Sequence, residues 1–147
     1  MNTNENVAPI ITRQRVADNQ RVNHTAKIFG HNFPLRLEPF VYGITNQICP
    51  EYHGGFWDFW ELSNGAFMMS PSVGAADAGK LFSVSCENGF EGMLSADALG
   101  IVACLYSYSN LSFGEDAFAE ICAVQYHLIR EYMFGHVEVK SILRAID

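Results

Sequence analysis

Nucleophilic catalysis requires a Ser or Cys next to a His that is itself oriented by a carboxylate, and Ser95, Asp97 and His127 supply those residue types. Two of the three already have local work. Ser95 stands immediately before a helical pattern, where a Ser side chain caps the first N–H groups, and Asp97 falls in the first turn, where a carboxylate meets the positive end of the helix dipole. His127 falls on the polar side of a later helix. A small hydrolase built on these residues is therefore a minor alternative. Asp58 and Glu61 come nearest to a paired-carboxylate site, but an offset of three along a strand puts them on opposite faces, which speaks against a glycosidase. Cys49 and His53 have the spacing of half a metal site and no second pair accompanies them, so no metal is expected. Gly54, Gly55, Gly89 and Gly92 read as turn glycines rather than a phosphate-binding loop, and no cofactor is expected.

The 147 residues are enough for one core and too few for two comfortable domains. Residues 1–23, rich in Asn, Gln, Thr and Arg, are expected to be a mobile segment with at most a frayed helical turn, leaving 24–147 as a single domain. No apolar stretch of signal-peptide length follows Met1, and no apolar run is long enough to span a bilayer, so a cytoplasmic protein with no membrane contact is expected. The four cysteines include no CxxC, and Cys49, Cys104 and Cys122 sit inside apolar helical patterns, which favours buried reduced thiols.

The net charge of −7 is unevenly laid out, since residues 1–50 hold five Lys/Arg against three Asp/Glu and residues 51–147 hold four against thirteen. No Lys or Arg lies between Lys80 and Arg130, while Glu87, Glu91, Asp97, Glu115, Asp116 and Glu120 do. Such a field repels nucleic-acid phosphates and attracts a basic protein surface, so direct nucleic-acid binding is not expected.

The elements that must position these residues centre on Gly54–Pro71, which holds both tryptophans and reads as a hairpin turning at Asn64-Gly65, where positive φ is needed. Phe56, Asp58, Trp60 and Leu62 share one face, and Trp57, Phe59 and Glu61 the other. With aromatics on both faces, the hairpin is either covered on both or keeps Trp57 or Trp60 for a partner. A third strand at Leu81–Cys86 would extend it into an antiparallel meander. Pro39 opens a helix that Pro50 stops, Ser95 caps a second, Ser112 with Glu115 has the form of a capping box for a third, and a short last helix runs from about Val137 to Ile146. The expected fold is α+β, a small antiparallel three-stranded sheet packed by three or four helices.

Several of these stretches also carry a resemblance. Gly54-Gly-Phe-Trp, Leu62-Ser-Asn-Gly, Asn88-Gly-Phe-Glu-Gly followed by Leu94-Ser-Ala-Asp-Ala, Tyr126-His127 and the terminal Arg144-Ala-Ile-Asp147 are similar in combination to the signature of the ArdB/KlcA antirestriction proteins. The chain departs from that pattern at Ala66, Met93 and Val137. The resemblance implies a non-catalytic protein that blocks type I restriction in the host to protect incoming mobile DNA, with the host restriction system or an associated host protein as partner. The alternative within that activity is a DNA mimic whose carboxylates occupy the enzyme's DNA channel, for which six acidic residues over nearly fifty positions are sparse. Candidate contact residues are Trp57, Trp60, Glu87, Glu91, Glu120, Arg144 and Asp147.

Overall fold

The computed structural model describes residues 9–147, so the mobility expected of residues 1–8 lies outside the described residues. Among the described residues, five α-helices and five strands make an α+β fold: β1 (Arg13–Arg15), α1 (Arg21–Phe29), α2 (Glu38–Ile48), β2 (Trp57–Leu62), β3 (Phe67–Pro71), β4 (Leu81–Ser85), β5 (Glu91–Ser95), α3 (Ala96–Leu111), α4 (Ala117–Met133) and α5 (Val139–Ile146).

The Trp hairpin forms as expected, with Phe59 opposite Met69 and Trp60 opposite Met68. Its turn differs in one detail: Gly65 alone takes positive φ, at 92°, and Asn64 does not. The Gly65 N–H reaches the Leu62 carbonyl and the Leu62 N–H the Ala66 carbonyl, a type I turn closed by a left-handed glycine. Glu87-Asn88-Gly89 repeats this turn between β4 and β5, with Gly89 at φ 94°.

Two expectations about the sheet are corrected. The strand beginning at Leu81 does not extend the meander; it pairs with β5 as a separate two-stranded hairpin. The third strand of the main sheet comes from the N-terminal segment instead, where Arg13–Arg15 pair with Trp60–Leu62 and α1 begins at Arg21 rather than as a frayed turn. Backbone hydrogen bonding is indifferent to which strand occupies an edge, and β1 is held there by side chains that reach across the molecule. Between α1 and α2, Phe33–Leu37 form a π-helical turn.

α3 is the hub. Eleven of its sixteen residues are buried, more than one amphipathic stripe would bury, because the sheet, α2, α4 and α5 all pack on it. Gly100 makes the sheet contact possible, since a Cβ there would sit 2.5 Å from the Met69 carbonyl oxygen. Helix side chains also close the outer edge of β3. Gln125 Oε1 accepts the Phe67 N–H at 2.8 Å, and the Tyr108 hydroxyl donates to the Phe67 carbonyl at 2.8 Å. Ser95 caps α3 as expected, accepting the Ala98 N–H at 3.1 Å. The expected capping box is not formed. Ser112 ends α3, its hydroxyl donating to Ser109, Glu115 is exposed in the loop, and Asp116 caps α4 by accepting the Ala119 N–H. No helix among the described residues is long and apolar enough to cross a membrane.

Candidate functional site

β1 brings Arg13 over the open face of the Trp hairpin, where its guanidinium lies 3.9 Å from the centre of the Trp60 ring. The same guanidinium pairs with Asp97 Oδ1 in the first turn of α3, a contact spanning eighty-four residues of sequence. The second Asp97 oxygen bonds His136 Nε2 at 2.7 Å, and His136 Nδ1 accepts the Glu138 backbone N–H at 3.0 Å. With Nδ1 accepting, Nε2 is the ring nitrogen that donates to Asp97. Glu138 then closes the cluster, its carboxylate accepting both the backbone N–H and the hydroxyl of Ser95. Burial pushes the Asp97 carboxyl up, but the His136 bond and the Arg13 charge outweigh it and hold the group below the usual carboxylate value.

One polar cluster thus joins β1, the Trp hairpin, the start of α3 and the corner between α4 and α5. Beside it, Ile10, Ile11, Tyr132 and Val137 line an open cleft of about 460 Å³. Its chemistry is that of a lock. Both ring nitrogens of His136 are engaged, and the Ser95 hydroxyl is bonded to a carboxylate and a backbone N–H, so no free base faces a nucleophile. The four thiols are buried, and burial pushes those of Cys104 and Cys122 up to about 12, leaving them protonated at neutral pH. Among the described residues, no group of three or more His, Cys, Asp or Glu is placed to hold a metal ion.

The triad of Ser95, Asp97 and His127 is therefore corrected. His127 is exposed on α4 with its ring edge-on to Tyr126, and the histidine that reaches Asp97 is His136. Trp57 is corrected as a surface contact: it is 2% exposed in the core, with Tyr42 and Tyr52 edge-on to it. Trp60 is half-buried under Arg13, and its Nε1–H donates to Ser70 Oγ at 3.0 Å. Asp58 pairs with Arg15 at 2.8 Å.

The acidic residues are less free than their number suggests. Asp97 is taken by Arg13 and His136, Asp116 pairs with Arg36 at 2.8 Å, and Glu87 accepts from Gln47 at 3.0 Å. Glu91 is exposed at the start of β5, on the same hairpin as Glu87, while Glu120 is exposed in the first turn of α4. At the terminus, Arg144 lies 5.6 Å over the Phe90 ring, and Asp147 is exposed just past α5. Asn88 Nδ2 donates to the carbonyls of Arg144 and Ala145, and the Tyr106 hydroxyl to that of Ala145, which fastens the terminal motif to the second hairpin.

Sequence reasoning missed Arg13, His136 and Glu138. Arg13 lies in a polar stretch without apolar periodicity, and the pair after Gly135 looked like an ordinary helix start. Only their meeting with Asp97 and Ser95 gives them meaning.

Residues 50–147 match the family model described as Antirestriction protein. Two Escherichia coli proteins named Antirestriction protein KlcA are 37% and 39% identical to this chain, the matches covering 93% and 95% of it and 95% of each relative. A solved structure of the KlcA and ArdB proteins superposes with a TM-score of 0.85 at 34% identity over 100% of both chains. That structure is described as a novel fold with antirestriction activity against Type I DNA restriction systems in vivo but not in vitro.

Proposed function

The chain belongs to the antirestriction protein family, and from that premise we propose that it blocks host type I restriction, protects incoming mobile DNA, and does so in the cytoplasm by binding rather than catalysis. The observation that carries this reading is the full-length match to the KlcA and ArdB structure, together with the activity described for those proteins. Activity in cells but not with purified components points to a host factor that only the cell supplies, so the proposed partner is the host type I system acting with, or through, an associated host protein.

The cluster around Asp97 supports a binding role, because every candidate base and nucleophile in it is already bonded to a neighbour. A DNA mimic has less support. Mimicry needs rows of unpaired carboxylates at phosphate-like spacing, and Asp97 and Asp116 are neutralised by arginines. A channel-blocking mimic would also inhibit a purified restriction enzyme. The test is the plating efficiency of unmodified phage on hosts carrying different type I families, with and without the protein, run beside DNA cleavage by the purified enzyme. Rescue in cells without inhibition of the purified enzyme is expected. Unchanged plating on every host sinks the reading, and inhibition of the purified enzyme alone restores the mimic.

A further inference from the structure

α1, the π-helical turn and β2 enclose a second pocket, of about 380 Å³, lined by residues that take no part in the Asp97 cluster. Phe33, Pro34 and Phe59 make its apolar lining, and Arg21 at the start of α1 closes one side. The Arg21 guanidinium lies 3.6 Å over the Phe59 ring and 4.5 Å from the Phe56 ring, and donates to the Trp57 carbonyl at 2.8 Å. Two rings and a carbonyl thus fix its orientation, and its remaining N–H groups are left for another acceptor. Arg13, Arg15 and Arg36 each pair with a carboxylate, whereas among the described residues none pairs with half-buried Arg21. Glu38, also on the wall, is engaged with the Tyr42 hydroxyl at 3.2 Å.

Around this cation the rim is apolar and open: Val22, which lines the pocket, is 79% exposed, and Phe56, whose ring lies against Arg21, is 54% exposed. A concave apolar site with a rigid, incompletely satisfied guanidinium has the form of a protein-binding hot spot, where one large side chain anchors and a charged hydrogen bond selects. The two formal charges of its lining, Arg21 and Glu38, cancel, and of the two Glu38 is engaged by a side chain while Arg21 meets only a carbonyl and two rings.

We propose that this pocket is the partner-docking surface, and that it receives a polypeptide segment of the partner in which a large apolar side chain adjoins a carboxylate. The apolar side chain fills the space over Phe59, and the carboxylate meets Arg21. This rests on the reading above that the protein acts by binding a host component.

Two measurements test it. The first is phage protection by the double variant Val22→Asp/Phe56→Asp, whose positions are both exposed, beside a Val124→Asp control on α4. Protection is expected to fall at least tenfold in the double variant and to persist in the control, because the new carboxylates occupy the apolar rim and repel the partner's own. Full protection by a double variant that melts like the wild type overturns the proposal. Should the wild type itself protect no host, the antirestriction reading falls, and the second measurement still decides the pocket. It is an NMR titration of the ¹⁵N-labelled protein with acetyl-Asp-Phe-Asp-Leu-amide and, separately, with acetyl-Asn-Phe-Asn-Leu-amide. Shifts confined to α1 and the π-helical turn, roughly tenfold weaker for the neutral peptide and lost in Arg21→Gln, are expected. No shifts, or equal binding of the two peptides, overturn the proposal.

Discussion

Replacing Asn88 by Asp changes one NH₂ group to an oxygen, and the structure assigns that group a defined load. Asn88 Nδ2 donates to the Arg144 carbonyl at 2.9 Å and the Ala145 carbonyl at 3.1 Å, while its Oδ1 accepts the Phe90 N–H at 3.0 Å. Arg144 and Ala145 belong to the last turn of α5, where carbonyls have no partner within the helix. Asn88→Asp keeps the acceptor, so the turn survives, but it removes the donor and sets a negative oxygen against two carbonyl oxygens at the negative end of a helix dipole. A lost hydrogen bond costs about 0.5–1.5 kcal/mol, and the repulsion adds to it, giving about 1–3 kcal/mol in all. At roughly 2–4 °C per kcal/mol for a chain of this size, the melting temperature should fall by about 2–12 °C at pH 7.5. The pH dependence has a definite sign. The introduced carboxyl is raised in the folded state by its carbonyl neighbours, so the variant's deficit should be full above that folded value and shrink as the pH falls through it, where the protonated acid donates again. Thermal and urea unfolding of variant and wild type at pH 7.5 and pH 4 would measure this. A variant that melts like the wild type at pH 7.5, or a deficit that does not change with pH, refutes the clamp.

Trp57→Ala should cost about 3–5 kcal/mol, because the side chain is almost wholly buried, whereas Trp60→Ala should cost much less, so urea midpoints should separate the two clearly. Gly100→Ala should destabilise by about 1–3 kcal/mol despite the better helix propensity of Ala, because the new methyl meets the β3 backbone; a stabilised variant would show that α3 has room to shift. Asp97 is held below its ordinary value, so its contribution to stability is complete above about pH 4 and is lost as the pH falls through the depressed folded value. Asp97→Asn should flatten that acid limb of the stability curve, and an unchanged limb would remove Asp97 from the cluster's energetics.

What the sequence determined by itself was local. Both Asn-Gly turns, the start of α3 at Ser95, the proline-bounded α2 and the alternation of β4 follow from φ preferences, caps and side-chain period, which act over a few residues. The family motifs were legible for the same reason, since several of them are these turns and caps. Even so, their side chains carry a second role that spacing does not disclose: Asn64 docks on the Leu128 carbonyl of α4 and Asn88 on α5. Only the tertiary structure decided which strand joins the Trp hairpin, because edge pairing depends on long-range side-chain contacts such as Arg13 with Asp97 and Trp60. It decided as well that Asp116 rather than Ser112 caps α4, that α3 is buried over most of its length, and that Trp57 is core while Trp60 lies under an arginine. Burial and ion pairing are properties of what packs against a residue, and in this chain the deciding neighbour of Asp97 stands eighty-four positions away.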